Sequence, residues 1–118
     1  MACIAKLLEN LRPEVESGLK PYLGGFIGAV IRTYLPQTWV FVTETEAATF
    51  YVACSGDTVV YPQAADRPDV TIVVDHAVIF SALSTRDSSL VPAGRREVRF
   101  QTQKGRTAFN FLRSRFGL

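Results

Sequence analysis

Residues 68–83 read Pro68-Asp-Val-Thr-Ile-Val-Val-Asp-His-Ala-Val-Ile-Phe-Ser-Ala-Leu83. Val70, Ile72 and Val74 alternate along a β-strand, and the period then lengthens to a helical one. Asp75 stands where a helix needs its N-cap, ahead of the apolar set Ala77, Val78, Phe80, Ala82 and Leu83, so the spacing predicts a helix over Ala77–Leu83. The stretch carries no glycine-rich phosphate loop, no cysteine and no nucleophile motif. Its apolar residues go into a strand running straight into a helix, a pattern suited to enclosing an apolar molecule rather than transforming one.

Upstream, the period is 2. Trp39, Phe41 and Thr43 alternate with Val40, Val42 and Glu44; Phe50, Val52 and Cys54 alternate with Thr49, Tyr51 and Ala53. Ser55-Gly56-Asp57 signals a tight turn into a third strand at Thr58–Tyr61. Before the strands, Ile4, Leu7, Leu8 and Leu11 predict a first helix ending near Leu11–Arg12, because Pro13 interrupts the stripe. Leu19, Leu23, Phe26, Ile27, Val30 and Tyr34 predict a second, with Gly24, Gly25 and Gly28 signalling close packing or mobility. Pro36 stops it. Downstream, Glu97–Thr102 alternates as a strand, and a last helix is predicted from about Arg106 to Phe116.

Two helices, a three-strand meander, then strand, helix, strand, helix imply an α+β fold. Its sheet is mixed and five-stranded, the parallel element being expected from the strand–helix–strand unit, with the helices packed on one face. A length of 118 residues fits one domain over 1–118, with N-terminal helices in 1–36 and sheet and helices in 37–118.

Composition narrows the function classes. Hydrophobic residues make up 47% and charged residues 20%, which is globular and not disordered. The N-terminus lacks the charged start and long apolar run of a secretory signal. The greasiest segment, Tyr22–Ile31, is about half the ~20 residues of a spanning helix. A cytoplasmic protein is expected. Cys3 and Cys54 form neither a disulfide framework nor a zinc spacing, and Cys54 is expected to be buried as a small apolar residue. His76, the only histidine, has a chain neighbour in Asp75 but no nucleophile motif. Gly24–Gly28 follows no strand, so it is not a nucleotide loop. No residue is assigned a catalytic or metal-binding role, and no cofactor is expected.

Charge is uneven. Residues 95–118 carry seven basic side chains against one acid, Glu97, whereas residues 1–94 carry six basic and ten acidic. Arg95, Arg96, Lys104 and Arg106 are therefore candidates for an anionic head group or for transient contact with an anionic membrane surface; the competing reading is a solvated helix face. Arg99-Phe100-Gln101 mimics a single-strand nucleic-acid reader, but Phe100 is in phase with Val98 and points to the core. The apolar candidates Phe26, Val30, Trp39, Phe41 and Phe50 sit on elements that also carry small residues such as Gly28 and Ala29. Bulky beside small is expected to leave an elongated apolar gap between helices and sheet.

Taken together, Trp39–Phe41, the Gly56-Asp57 turn, Asp66–Ile72, the Asp75-capped helix, and Val98-Arg-Phe100 leading through Lys104-Gly105 into a terminal helix resemble the sterol carrier protein 2 (SCP2) sterol-binding domain family. The resemblance covers about Trp39 to Phe116; Asp69-Val70-Thr71-Ile72 is its most specific piece, and the N-terminal helices match only in kind. It implies a hydrophobic tunnel between sheet and helices, ligands such as sterols, fatty acids and acyl-CoA, and no enzyme activity in the domain. It adds Phe80, Leu83, Phe100, Phe109 and Leu112 to the ligand-facing set. The family often has glycines before and after its last strand in the patterns Ser-Gly-Lys and Lys-Gly-Asp; here those regions read Pro92-Ala-Gly-Arg-Arg96 and Gln103-Lys-Gly-Arg106. Two other readings stay open: an interaction or accessory subunit with a filled core in lipid or quinone metabolism, and a small thioesterase using Asp66, Asp69 or Asp75.

Overall fold

The structure, a computed structural model, describes residues 4–85 and 96–116, the last six of these by their backbone alone. Helix α1 (Ile4–Leu19), a 3-10 turn (Lys20–Tyr22) and helix α2 (Gly25–Arg32) precede strands β1 (Gln37–Val42), β2 (Ala47–Val52), β3 (Thr58–Tyr61) and β4 (Val70–Val74). Helix α3 (His76–Thr85), strand β5 (Arg96–Phe100) and helix α4 (Gln103–Phe116) follow. The five strands form one mixed sheet in the order β3-β2-β1-β4-β5.

The parallel pair is β1 with β4, whereas β4 and β5 on either side of α3 run antiparallel. The strand–helix–strand unit therefore does not supply the parallel element that its pattern suggested. The crossover that does so is the chain from β3 to β4, which passes over the other face of the sheet. There the Thr49 hydroxyl donates to the Gln63 carbonyl at 2.7 Å and accepts from the Ala65 N–H at 3.0 Å.

Register sets the core. Phe50, Trp39, Val70 and Phe100 form one row across the sheet, and Ala48, Phe41, Ile72 and Val98 the next. Against these rows α1 buries Ile4 and Leu8, α3 buries Ile79 and Ala82, and α4 buries Phe109. Each large side chain so covered contributes about 1.5–3 kcal/mol. The apolar alternation of β1, β2 and β4 thus predicts the helix-bearing face correctly.

Several local features differ from the sequence pattern. Helix α1 continues through Pro13 to Leu19. Leu11 and Val15 pack against the core on both sides of the proline, and Thr58 on β3 holds both Arg12 Nε and Glu16 Oε2 at 3.1 Å. This anchoring outweighs the one backbone bond that Pro13 removes. Helix α4 starts at Gln103 because the Thr102 hydroxyl accepts the Gly105 N–H at 3.0 Å, an N-cap. Cys54 is exposed, not buried, since it falls between the end of β2 and the Gly56 turn.

Helix α2 departs furthest from expectation. Leu23 is buried, but Phe26, Ile27 and Val30 point outward, with Phe26 85% exposed. The inward face is Gly28, where a Cβ would lie 2.1 Å from the Leu23 carbonyl oxygen. No described helix is long and apolar enough to cross a membrane.

Candidate functional site

The site grows from β1, β5 and α4. Trp39 and Phe100 lie in the same cross-sheet row, two strands apart, and Phe109 of α4 bridges them. The Trp39 and Phe109 ring centres are 5.9 Å apart; those of Phe100 and Phe109 are 5.4 Å apart, edge to face. Both spacings are those of favourable aromatic pairs. Phe109 is buried, whereas Trp39 and Phe100 are half-buried and present ring surface at the margin of the core.

Two guanidiniums frame this aromatic group. Arg106 lies 4.9 Å from the centre of the Phe100 ring, and Arg96 lies 5.6 Å from that of Phe109. Stacking on a ring holds a cation in place while leaving N–H donors directed outward. The arrangement offers flat apolar surface with fixed positive charge beside it.

Below the aromatics a polar knot fixes the geometry. The buried Asp69 carboxylate accepts the Thr38 N–H at 2.9 Å and the Thr102 hydroxyl at 2.6 Å. Gln37, also buried, accepts from Trp39 Nε1 at 2.9 Å through its Oε1, and its Nε2 donates to the Tyr34 and Lys104 carbonyls. Lys104 donates to the Pro36 carbonyl at 2.7 Å and lies 3.8 Å from Asp69. The knot joins β1, β4, β5 and α4 at one end of the sheet and sets the rotamer of Trp39.

Of the apolar residues expected from sequence, Trp39, Phe41, Phe50, Phe100 and Phe109 come together on the helix-bearing face. Phe50 and Phe109 are 8% and 5% exposed and serve as core filling. Leu83 packs against the same core, and Phe80 of α3 stacks on His76 with centres 5.9 Å apart. Phe26 and Val30 stand apart on the exposed face of α2. Leu112 lies on α4, its side chain outside the described residues, as is Arg95. Among the basic candidates, Arg96 and Arg106 frame the aromatics and Lys104 belongs to the knot. Gln37 was not singled out by any motif; its one signal is its place two residues before Trp39 on the same strand face.

His76 Nε2 and Glu46 Oε2 are 2.9 Å apart, and the Glu46 carboxylate also accepts the Ile4 N–H at 2.9 Å, so this pair ties α1 to α3. The Glu44 carboxylate accepts the His76 N–H, supplying the first turn of α3 with an acceptor. Among the described residues no group of three or more His, Cys, Asp or Glu side chains is placed to hold a metal. An open cleft of about 560 Å³ lies at the far ends of β1 and β4, lined by Val42, Glu44, Val73, Asp75, Arg96 and others. Of the candidate residues, Arg96 and Asp75 border it.

No protein-family model matches the sequence, and no curated protein does. Solved structures resemble the fold. The UbiJ-SCP2 ubiquinone synthesis protein superimposes with a TM-score of 0.53 at 14% identity, covering 95% of this chain and 94% of that one. Sterol carrier protein 2 like 2 from Aedes aegypti gives a TM-score of 0.49 at 14% identity, covering 93% and 99%. A double mutant of the sec-alkyl sulfatase PisA1 gives 0.46 at 15% identity over 64% of this chain; the match spans 12% of the sulfatase. The first of these likenesses establishes an SCP2-like fold for this chain: α+β, with a mixed five-stranded sheet and helices on one face.

Proposed function

We propose that this chain is a non-catalytic lipid-binding protein that holds a sterol, fatty acid, acyl-CoA or isoprenoid-like molecule against its aromatic face. The observation that carries the reading is the pair of half-buried rings Trp39 and Phe100, bridged by the buried Phe109 and flanked by Arg96 and Arg106. The SCP2-like fold, shared with a protein named for ubiquinone synthesis, is consistent with it. The mechanism is physical. Each methylene that leaves water for the apolar face contributes about 0.8 kcal/mol. The polar end stays in water, where a carboxylate or phosphate meets the Arg106 guanidinium. Of the three thioesterase candidates, Asp69 spends its carboxylate oxygens on Thr38 and Thr102.

A second reading is an accessory subunit with a filled core in lipid or quinone metabolism. It is favoured by Phe50 and Phe109, both buried among the very residues expected to line a tunnel. Titration of the purified protein with a fluorescent fatty acid separates the two. Saturable binding, displaced by unlabelled fatty acid or acyl-CoA, supports the carrier. Absence of saturable binding leaves the filled subunit.

A further inference from the structure

Gln37 is buried, and its side-chain amide is held from both ends. Its Nε2 donates to the Tyr34 carbonyl at 2.6 Å and to the Lys104 carbonyl at 3.1 Å, which uses both amide hydrogens. A carbonyl can only accept, so the amide cannot be turned end for end. Its Oε1 is therefore obliged to face the Trp39 indole, whose Nε1–H it accepts at 2.9 Å. Lys104 Nζ donates in turn to the Pro36 carbonyl at 2.7 Å, so residues 36 and 37 are both clamped to the start of α4. Phenylalanine rings carry no polar hydrogen, and an indole carries one. In the Trp39–Phe109–Phe100 group that one donor is spent inside the protein.

We infer that Gln37 is a specificity-determining residue of the aromatic site: by engaging the indole N–H it restricts the ligand to one whose body is unbroken hydrocarbon, an acyl or isoprenoid chain with its oxygen atoms confined to one end. The inference rests on the lipid-binding reading and narrows the class of ligand. Gln37 acts through Trp39 and is a positioning residue. The neighbouring neutral donors are engaged in the same way. The Thr102 hydroxyl donates to Asp69, and the Thr38 N–H does so too. Arg106, exposed and 4.9 Å from the centre of the Phe100 ring, supplies donors at the margin, where the polar end of a chain would lie.

The selection works by what the rings withhold. A hydroxyl in the middle of a chain gives up its water when the chain lies against Trp39 and gains no hydrogen bond in return. An unbroken chain loses nothing of the kind. If Gln37 were replaced by an apolar side chain of similar length, the indole N–H would be left without its acceptor. A hydroxyl on the ligand could then satisfy it, and the penalty on the hydroxylated chain would fall. A residue that only held the fold would weaken both kinds of chain alike.

The test measures stearate and a set of mid-chain hydroxystearates, differing in hydroxyl position, by displacement of a fluorescent fatty acid from the purified full chain. The unaltered chain should bind stearate about tenfold or more tightly than the hydroxystearates. In Gln37→Met the preference should shrink to about threefold or less. In Gln37→Met, Trp39→Phe, which removes acceptor and donor together, it should return. The unaltered chain gives a readout that needs no variant to fold: the NMR signal of its single indole N–H should exchange slowly with D2O, and should do so with and without stearate. Equal affinity for the two kinds of chain would overturn the inference, as would a preference that Gln37→Met leaves intact or one that the double variant fails to recover. So would an indole N–H that exchanges at the rate of a free indole. Absence of any stearate binding by the unaltered chain is a separate result, which overturns the carrier reading and the role of Gln37 with it.

Discussion

The Thr102 hydroxyl donates to Asp69 Oδ1 at 2.6 Å and accepts the Gly105 N–H at 3.0 Å, so one hydroxyl links the start of β4 to the cap of α4. The same carboxylate holds Thr38 at the start of β1. The aromatic site is built on these elements, and the Asp69 carboxylate holds them together. Asp69→Ala leaves the Thr38 N–H and the Thr102 hydroxyl without their buried acceptor. A loss of about 1–3 kcal/mol is expected, read as a lower urea midpoint. A change under about 0.5 kcal/mol, the range of ordinary surface substitutions, would show that the knot is dispensable.

Gly105 and Gly24 make a matched pair of tests. A Cβ on Gly105 would lie 2.4 Å from the Asp69 carbonyl oxygen, a backbone atom that cannot swing aside. Gly105→Ala should cost about 1–3 kcal/mol through overpacking. At Gly24 a Cβ meets nothing within 4 Å, and φ is −91°. Gly24→Ala should change stability by less than about 0.5 kcal/mol. Thermal unfolding of the two variants side by side checks the packing of α4 on β4.

The exposed Lys20–Asp57 pair, 2.6 Å apart, ties the 3-10 turn before α2 to the β2–β3 turn. The hydrogen bond from Lys20, with a second from Ser55, lowers the Asp57 carboxyl from its ordinary 3.8. The bond to Asp57 raises the Lys20 ammonium from 10.5. The Asp57 contribution is therefore present above pH 3.8 and lost as pH falls through its depressed folded value. The Lys20 contribution is present below pH 10.5 and lost as pH rises through its raised folded value. Lys20→Met should lower the thermal midpoint slightly at neutral pH and low salt. The difference should close at both pH extremes and shrink in high salt, where exposed pairs are screened.

Arg106 and Lys104 should separate binding from stability. Arg106→Ala removes a cation stacked on Phe100 and should weaken a carboxylate-headed ligand about two- to five-fold while leaving the matching fatty alcohol unaffected. Lys104→Ala removes the donor to the Pro36 carbonyl. It should lower the unfolding midpoint, with the two ligands affected alike.

Alternation made the sheet legible. Val70, Ile72 and Val74, and Trp39 and Phe41, faced the helices as their spacing required, because a period of 2 leaves only two choices of face. The partnering of β4 was not legible, since strand order rests on where the β3–β4 chain crosses, and the Thr49 hydroxyl that holds this chain at Gln63 and Ala65 carries no sequence periodicity. Pro13 misled because a local rule was overridden by Leu11, Val15 and the Thr58 contacts on another element. The aromatic half of the site could be read, as large residues in phase with core strands. Gln37 and the role of Asp69 could not, because polar side chains show no periodicity. Helix α2 reads as a buried apolar stripe, and only the backbone contact at Gly28 reveals that its large residues face outward.

The proposed function requires an apolar molecule to lie against Trp39, the chain's single tryptophan. Quenching of tryptophan emission by a fatty acid brominated along its chain reads that contact directly. Quenching should saturate at one ligand per chain and be relieved by an unbrominated competitor. Emission that stays constant, or falls linearly without saturating, would contradict it.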